Sequence, residues 1–208
     1  PRHNQANDRL KRAYLSELEE DDGRSTQTAD QVRHAIDRLE QYTGFKDFRT
    51  YTREQGLGFK EHILESRNLR TGQPISLATA RSILRAVQKF IEWLTTNRHM
   101  PRKFKIASAK CLSLRTGDER RAKVKPPRRF APFDDYKRAI LAMPTATETE
   151  RRDQAVMAMF LTTSMRISAL IDLKIGDVDF EKSYIFQDPR HMRTKSSKGI
   201  DTFMLPVG

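Results

Sequence analysis

Residues 98–129 hold 12 Lys/Arg against 2 Asp/Glu, a net charge of +10 in 32 residues. Residues 1–97 carry 16 against 14, and residues 130–208 carry 11 against 11. Nearly all of the chain's +12 therefore sits in one segment. Charges at this density cannot be buried unpaired. The same segment contains Pro126-Pro127, which stops any helix and stiffens the chain. One core cannot run through it. With 208 residues the chain can build a core on each side instead. The division expected is a helical domain over 1–111, a basic linker over 112–129 and a second domain over 130–208.

Packed like charges repel unless an anion neutralises them. The segment is either a solvated basic loop or the seat of a polyanion, and nucleic acid backbone is the commonest such anion. Other partners are disfavoured. No stretch approaches the roughly 20 apolar residues of a membrane span. The start, PRHNQANDRLKRAY, is too polar for a signal peptide. The one cysteine, Cys111, excludes an internal disulfide and fits a reducing compartment. It reads as a packed small hydrophobe rather than a nucleophile. The histidines (His3, His34, His62, His99, His191) show no metal-ligand spacing with Cys111 or with each other. No Gly-x-x-x-x-Gly-Lys loop is present. No cofactor and no metal are expected.

The first 97 residues read as about four helices. Residues 5–21 form a charged amphipathic helix. Thr28 and Gln31 pair as a capping box before Val32, Ile36 and Leu39, and Gly44 closes that helix. A third spans Arg53 to Ser66, interrupted by Gly56 and Gly58. Ser76 caps the strongest one, where Ile83, Leu84, Val87, Phe90, Ile91 and Leu94 trace one apolar face. On its polar side Arg81, Arg85 and Lys89 recur at i, i+4 and i+8, as a phosphate-tracking row or a plain solvated face. After the linker, helices are expected from Pro132 with Tyr136, Ile140 and Leu141 inward, from Thr147 to Thr162, and from Ser164 to Leu173. Tyr184-Ile185-Phe186 and Thr202 to Leu205 read as paired strands. The fold class is mainly α with a small β-hairpin or sheet.

Arg166 stands out. Val156, Met157, Phe160 and Leu161 precede it and Ile167, Leu170, Ile171 and Leu173 follow, so the surroundings read as buried. An unpaired buried charge costs several kcal/mol. Arg166 needs either a carboxylate, such as Asp172 or Asp177, or an anion from outside.

The stretch TTSMRISALIDLKIGDVD resembles the first arginine box of the tyrosine recombinases, the phage-integrase family. Thr163, Arg166, Ile167, Ser168, Leu170, Leu173, Asp177, Val178 and Asp179 match it. Ser164 stands where the family usually has glycine, and Ala169 where it often has glutamate. TKSSKGIDTFMLPVG resembles the family's hairpin, with Lys195 at the catalytic lysine position and Lys198 in reserve. RSILRAVQKFIEWL is similar to the last long helix of the SAM-like core-binding domain. The resemblance implies a tyrosine that attacks a DNA phosphodiester to give a 3′-phosphotyrosine. Arg166 would stabilise the charged phosphorane and Lys195 would protonate the leaving 5′ oxygen. It also implies double-stranded DNA as partner and self-association on that DNA. Lys123, Lys125, Arg128 and Arg129 of the linker would grip the backbone, with Arg81, Arg85 and Lys89. A cytoplasmic, nucleoid-associated protein of DNA recombination or integration is expected.

The family's His-x-x-Arg pair and late tyrosine have no counterpart here. RHMR offers only His191-x-Arg193, in the wrong place, and Tyr14, Tyr42, Tyr51, Tyr136 and Tyr184 read as helix-face or strand residues. The expectation is a fragment carrying the core-binding domain and the first half of the catalytic domain. Two alternatives stay open: a non-catalytic DNA-binding regulator on the same scaffold, and a helical RNA-binding protein with a basic tether.

Overall fold

A computed structural model describes residues 4–20, 26–97, 99–100, 106–124, 127, 129–194 and 198–206. The chain forms two compact units, Pro1–Pro126 and Pro127–Gly208. It is mainly helical with one small antiparallel sheet.

The first unit is built around one helix. α1 (Gln5–Glu20), α2 (Thr26–Tyr42), α3 (Arg53–Glu65), α4 (Leu77–Thr96) and α5 (Thr116–Lys123) follow in order, with short 3₁₀ turns at Phe48–Thr50 and Ile106–Leu112. α4 packs against α2, α3, α5 and the second 3₁₀ turn. Its start is set by Ser76, whose hydroxyl accepts from the Thr79 N–H at 3.1 Å. Its spacing puts Leu84, Val87, Phe90, Ile91 and Leu94 on one buried stripe. Ile36, Leu39, Phe59 and Ile63 meet that stripe from α2 and α3. Each such side chain contributes about 1.5–3 kcal/mol by burial. Phe90→Ala would remove about 3–5 kcal/mol, enough to threaten the unit. Trp93 lies on α4 with its ring stacked 6.2 Å from Phe90 and its Nε1 donating to Glu17 of α1 at 2.6 Å.

α1 is also tied down by polar groups. Asn7 is fully buried and donates to Glu40 and to the Lys46 carbonyl, while its oxygen accepts from the Phe48 N–H. Lys11 bridges Asp8, Asp37 and Glu40 within 3.1 Å, joining α1 to α2.

Local details differ from the sequence reading. α2 is described from Thr26, so Thr28 lies inside its first turn rather than at its start. Gly44, at φ +66°, ends it as expected, with the Phe45 N–H bonded to the Glu40 carbonyl. α3 starts at a capping box of Thr52 and Gln55. Its glycines are not weak points: a Cβ on Gly56 would overlap the Tyr51 hydroxyl and Cys111 Sγ. The segment 112–129 is not an extended linker throughout, because it contains α5. α5 buries no residue. It is fastened to α4 by Arg81 Nε donating to Glu119 Oε1 at 2.5 Å, a pairing that no apolar periodicity announces.

The second unit holds α6 (Phe133–Leu141), α7 (Glu148–Thr163), α8 (Ile167–Asp172), a 3₁₀ turn at Ile175–Asp177, and β1 (Val178–Asp179), β2 (Tyr184–Gln187) and β3 (Ile200–Phe203). The strand order is β1-β2-β3, antiparallel, with Ile185 opposite Val178 and Thr202. Thr147 and Glu150 form the capping box that starts α7. The core is small: Met165, Ala169 and Ile185, with Met159, Leu173, Val178 and Met204 against them. α6 buries none of its residues, and Tyr136 and Leu141, expected inward, are exposed. The third helix begins at Ile167 rather than Ser164, because Ser164 adopts the left-handed conformation (φ 52°, ψ 24°) that ends α7. Among the described residues no helix is long and apolar enough to cross a membrane.

Candidate nucleic-acid interface

Arg166 is exposed, not embedded. The apolar run around it misleads because Val156, Met157, Ile167 and Ile171 are themselves exposed. Arg166 is the N-cap of α8, with extended backbone (φ −74°, ψ 145°), and its side chain makes no capping bond. The two carboxylates that could have neutralised it are engaged elsewhere. Arg193 takes Asp172 through Nε and Nη2, both at 2.8 Å, and through its N–H at 2.9 Å. These bonds hold the Asp172 carboxyl down at about 2. Asp177 accepts the Lys174 N–H at 2.8 Å and faces His191 Nε2 at 3.0 Å. Among the described residues Arg166 has no ion-pair partner. A guanidinium in that state offers its whole donor fork to an external anion.

The expected strand pair forms, with its second strand at Ile200–Phe203 rather than from Thr202 to Leu205, and β2 and β3 are in register from Tyr184↔Phe203 to Gln187↔Ile200. After β3, the Leu205 N–H bonds to the Thr162 carbonyl at 2.9 Å, joining the strand end to the C-terminal turn of α7 just before Arg166. Lys198 is exposed. Lys195, the preferred general acid, lies outside the described residues. Asp188 is held at about 2 by its hydrogen bonds from Arg190.

In the first unit four of the basic residues singled out from sequence line one cleft of about 540 Å³. Arg81, Arg85 and Lys89 come from α4 and Lys123 from α5, and Leu112 and Ser113 also line it. Glu92 and Glu119 are the acidic groups lining it, so the cleft is net positive by two. The four cations are not equivalent. Arg81 is committed to Glu119, whose carboxyl it holds below the usual range, and Lys123 reaches the same carboxylate at 3.6 Å. Arg85 and Lys89 are exposed and pair with no described carboxylate. Arg129 is exposed, in the second unit. Lys125 and Arg128 lie outside the described residues.

No cluster of three metal-ligating side chains exists among the described residues. The pairing of Arg193 with Asp172 was not readable from sequence. Their 21-residue separation hides the pair, and RHMR looks like turn filler. No protein-family model and no curated protein matches the chain.

Proposed function

We propose that these residues are the duplex-DNA-binding and first-arginine part of a tyrosine-type site-specific recombinase. The observation that carries this reading is the uncommitted, exposed guanidinium of Arg166 inside the arginine box, with Asp172 and Asp177 both occupied. The net-positive cleft on α4 supports the binding half of the reading. Arg166 would take the scissile phosphate, where charge grows in the transition state. Lys195, or Lys198 in reserve, would protonate the departing 5′ oxygen. DNA bond energy is kept in the phosphotyrosine link, so the reaction needs no nucleotide cofactor.

The reading requires a His-x-x-Arg pair and a tyrosine beyond residue 208. Sequencing the codons after Gly208 decides between enzyme and binder, since their absence would leave a DNA-binding regulator. That second reading is favoured by the cleft itself, which uses none of the catalytic groups. The binding half is tested by fluorescence anisotropy on a labelled duplex and on an RNA of equal length across a salt series. Each phosphate contact contributes about −0.9 to the slope of log K against log salt. Arg85→Ala with Lys89→Ala should lower the slope by about 2 contacts' worth. Preference for the RNA, or no duplex binding at low salt, would sink the proposal.

A further inference from the structure

We propose that Arg193 is a positioning residue for Arg166: it grips both ends of α8 and so fixes where the Arg166 guanidinium meets an anion. This rests on the reading of Arg166 given above. α8 has six residues, and a helix that short is not stable by itself in water. One side of it is held by burial, through Ala169 and Leu170. The adjacent edge is polar. Ser168 and Asp172 stand at i and i+4, one turn apart on the same edge.

Arg193 engages both. Its carbonyl accepts from Ser168 Oγ at 3.2 Å. Its N–H and its guanidinium give three hydrogen bonds to Asp172. One residue of the β2–β3 connection is thus fastened along the full length of α8. Arg166 is the residue on which this helix starts: its carbonyl accepts the N–H groups of Ala169 and Leu170, both at 3.0 Å. Any slip or fraying of α8 moves the Arg166 Cα directly. A group that stabilises a reacting phosphate must be held within a fraction of an ångström. An ordinary exposed ion pair contributes little. This one also uses the main-chain N–H and carbonyl of Arg193, which fixes position rather than adding stability alone.

The test uses the 208-residue chain with ¹⁵N-labelled arginine and pyrophosphate as the probe. In the unaltered chain the Arg166 Nε–Hε resonance should move on titration, and that of Arg193 should not. Arg193→Ala should raise the pyrophosphate concentration needed to half-saturate Arg166 several-fold. Arg193→Lys should do the same, because lysine keeps the charge and loses the fork. Asp172→Glu should restore much of the response that Asp172→Asn loses. The Ile185 methyl resonance, which reports the sheet core, should stay unchanged in all of them. An unchanged Arg166 titration in Arg193→Ala, or full function in Arg193→Lys, overturns the proposal and leaves the reading of Arg166 intact. Collapse of the Ile185 signal in every variant would mean that Arg193 merely supports the fold, and also overturns it. An Arg166 that is silent toward pyrophosphate in the unaltered chain sinks the recombinase reading as well.

Discussion

Ser164 is a serine doing a glycine's job. Its φ of 52° places Cβ against the following carbonyl, a strain that glycine avoids. The left-handed turn ends α7 sharply, and Arg166 emerges two residues later at the head of α8. Ser164→Gly should therefore stabilise the second unit by about 0.5–1 kcal/mol, read from urea denaturation. Gly56→Ala should act the other way. Its new methyl would meet the Tyr51 hydroxyl and Cys111 Sγ, and overpacking of that kind costs about 1–3 kcal/mol. Thr194 offers a third case. Among the described residues its hydroxyl is buried without a hydrogen-bond partner, so Thr194→Val, the same shape without the polar atom, should gain about 1 kcal/mol.

At the scale of elements, pH exposes what pins the β2–β3 connection. Asp172 and Asp188 both have folded pKa values of about 2, depressed from 3.8 by Arg193 and Arg190. A depressed carboxylate stabilises the fold above its unfolded pKa and loses that contribution as pH falls through the folded value. The connection should hold at pH 5 and loosen between about pH 4 and 2. Amide exchange at Arg190 and Arg193 should rise in that window; constant protection would show that the two pairs do not hold the loop. The same elements show how far a sequence can be read. α4 was legible because a periodic apolar stripe and a serine cap are both local signals. α5 was not, since it buries nothing and depends on one ion pair 38 residues away. β1 has two residues and no pattern of its own. At the candidate site, the charge of Arg166 inside an apolar run drew attention to it, and the row on α4 pointed to residues that line the cleft. The environment of Arg166 was misjudged because apolar residues were assumed to be buried, although the small second core leaves Ile167 and Ile171 in solvent.

The molecule as a whole is unevenly built. The first unit buries a contiguous core of large side chains, and the second buries few apolar ones, Met165, Ala169, Leu170, Ile185 and Met192. Local opening should follow the apolar burial. The Ile185 amide should exchange faster than those of Phe90 and Ile91, and equal rates would contradict this account. For DNA, replacing Lys123, Lys125, Arg128 and Arg129 by alanine should flatten the salt dependence and weaken binding to all sequences alike, each lost phosphate contact removing about 0.9 from the slope. An unchanged slope would take the 112–129 segment out of the interface. The position of Trp93 adds a practical asymmetry. It is the chain's single tryptophan, stacked on Phe90 and bonded to Glu17. Indole emission during a thermal melt therefore watches the first unit alone, while far-ultraviolet dichroism follows helices in both. The gap between those two curves is a direct optical readout of how independently the unit carrying Arg166 unfolds.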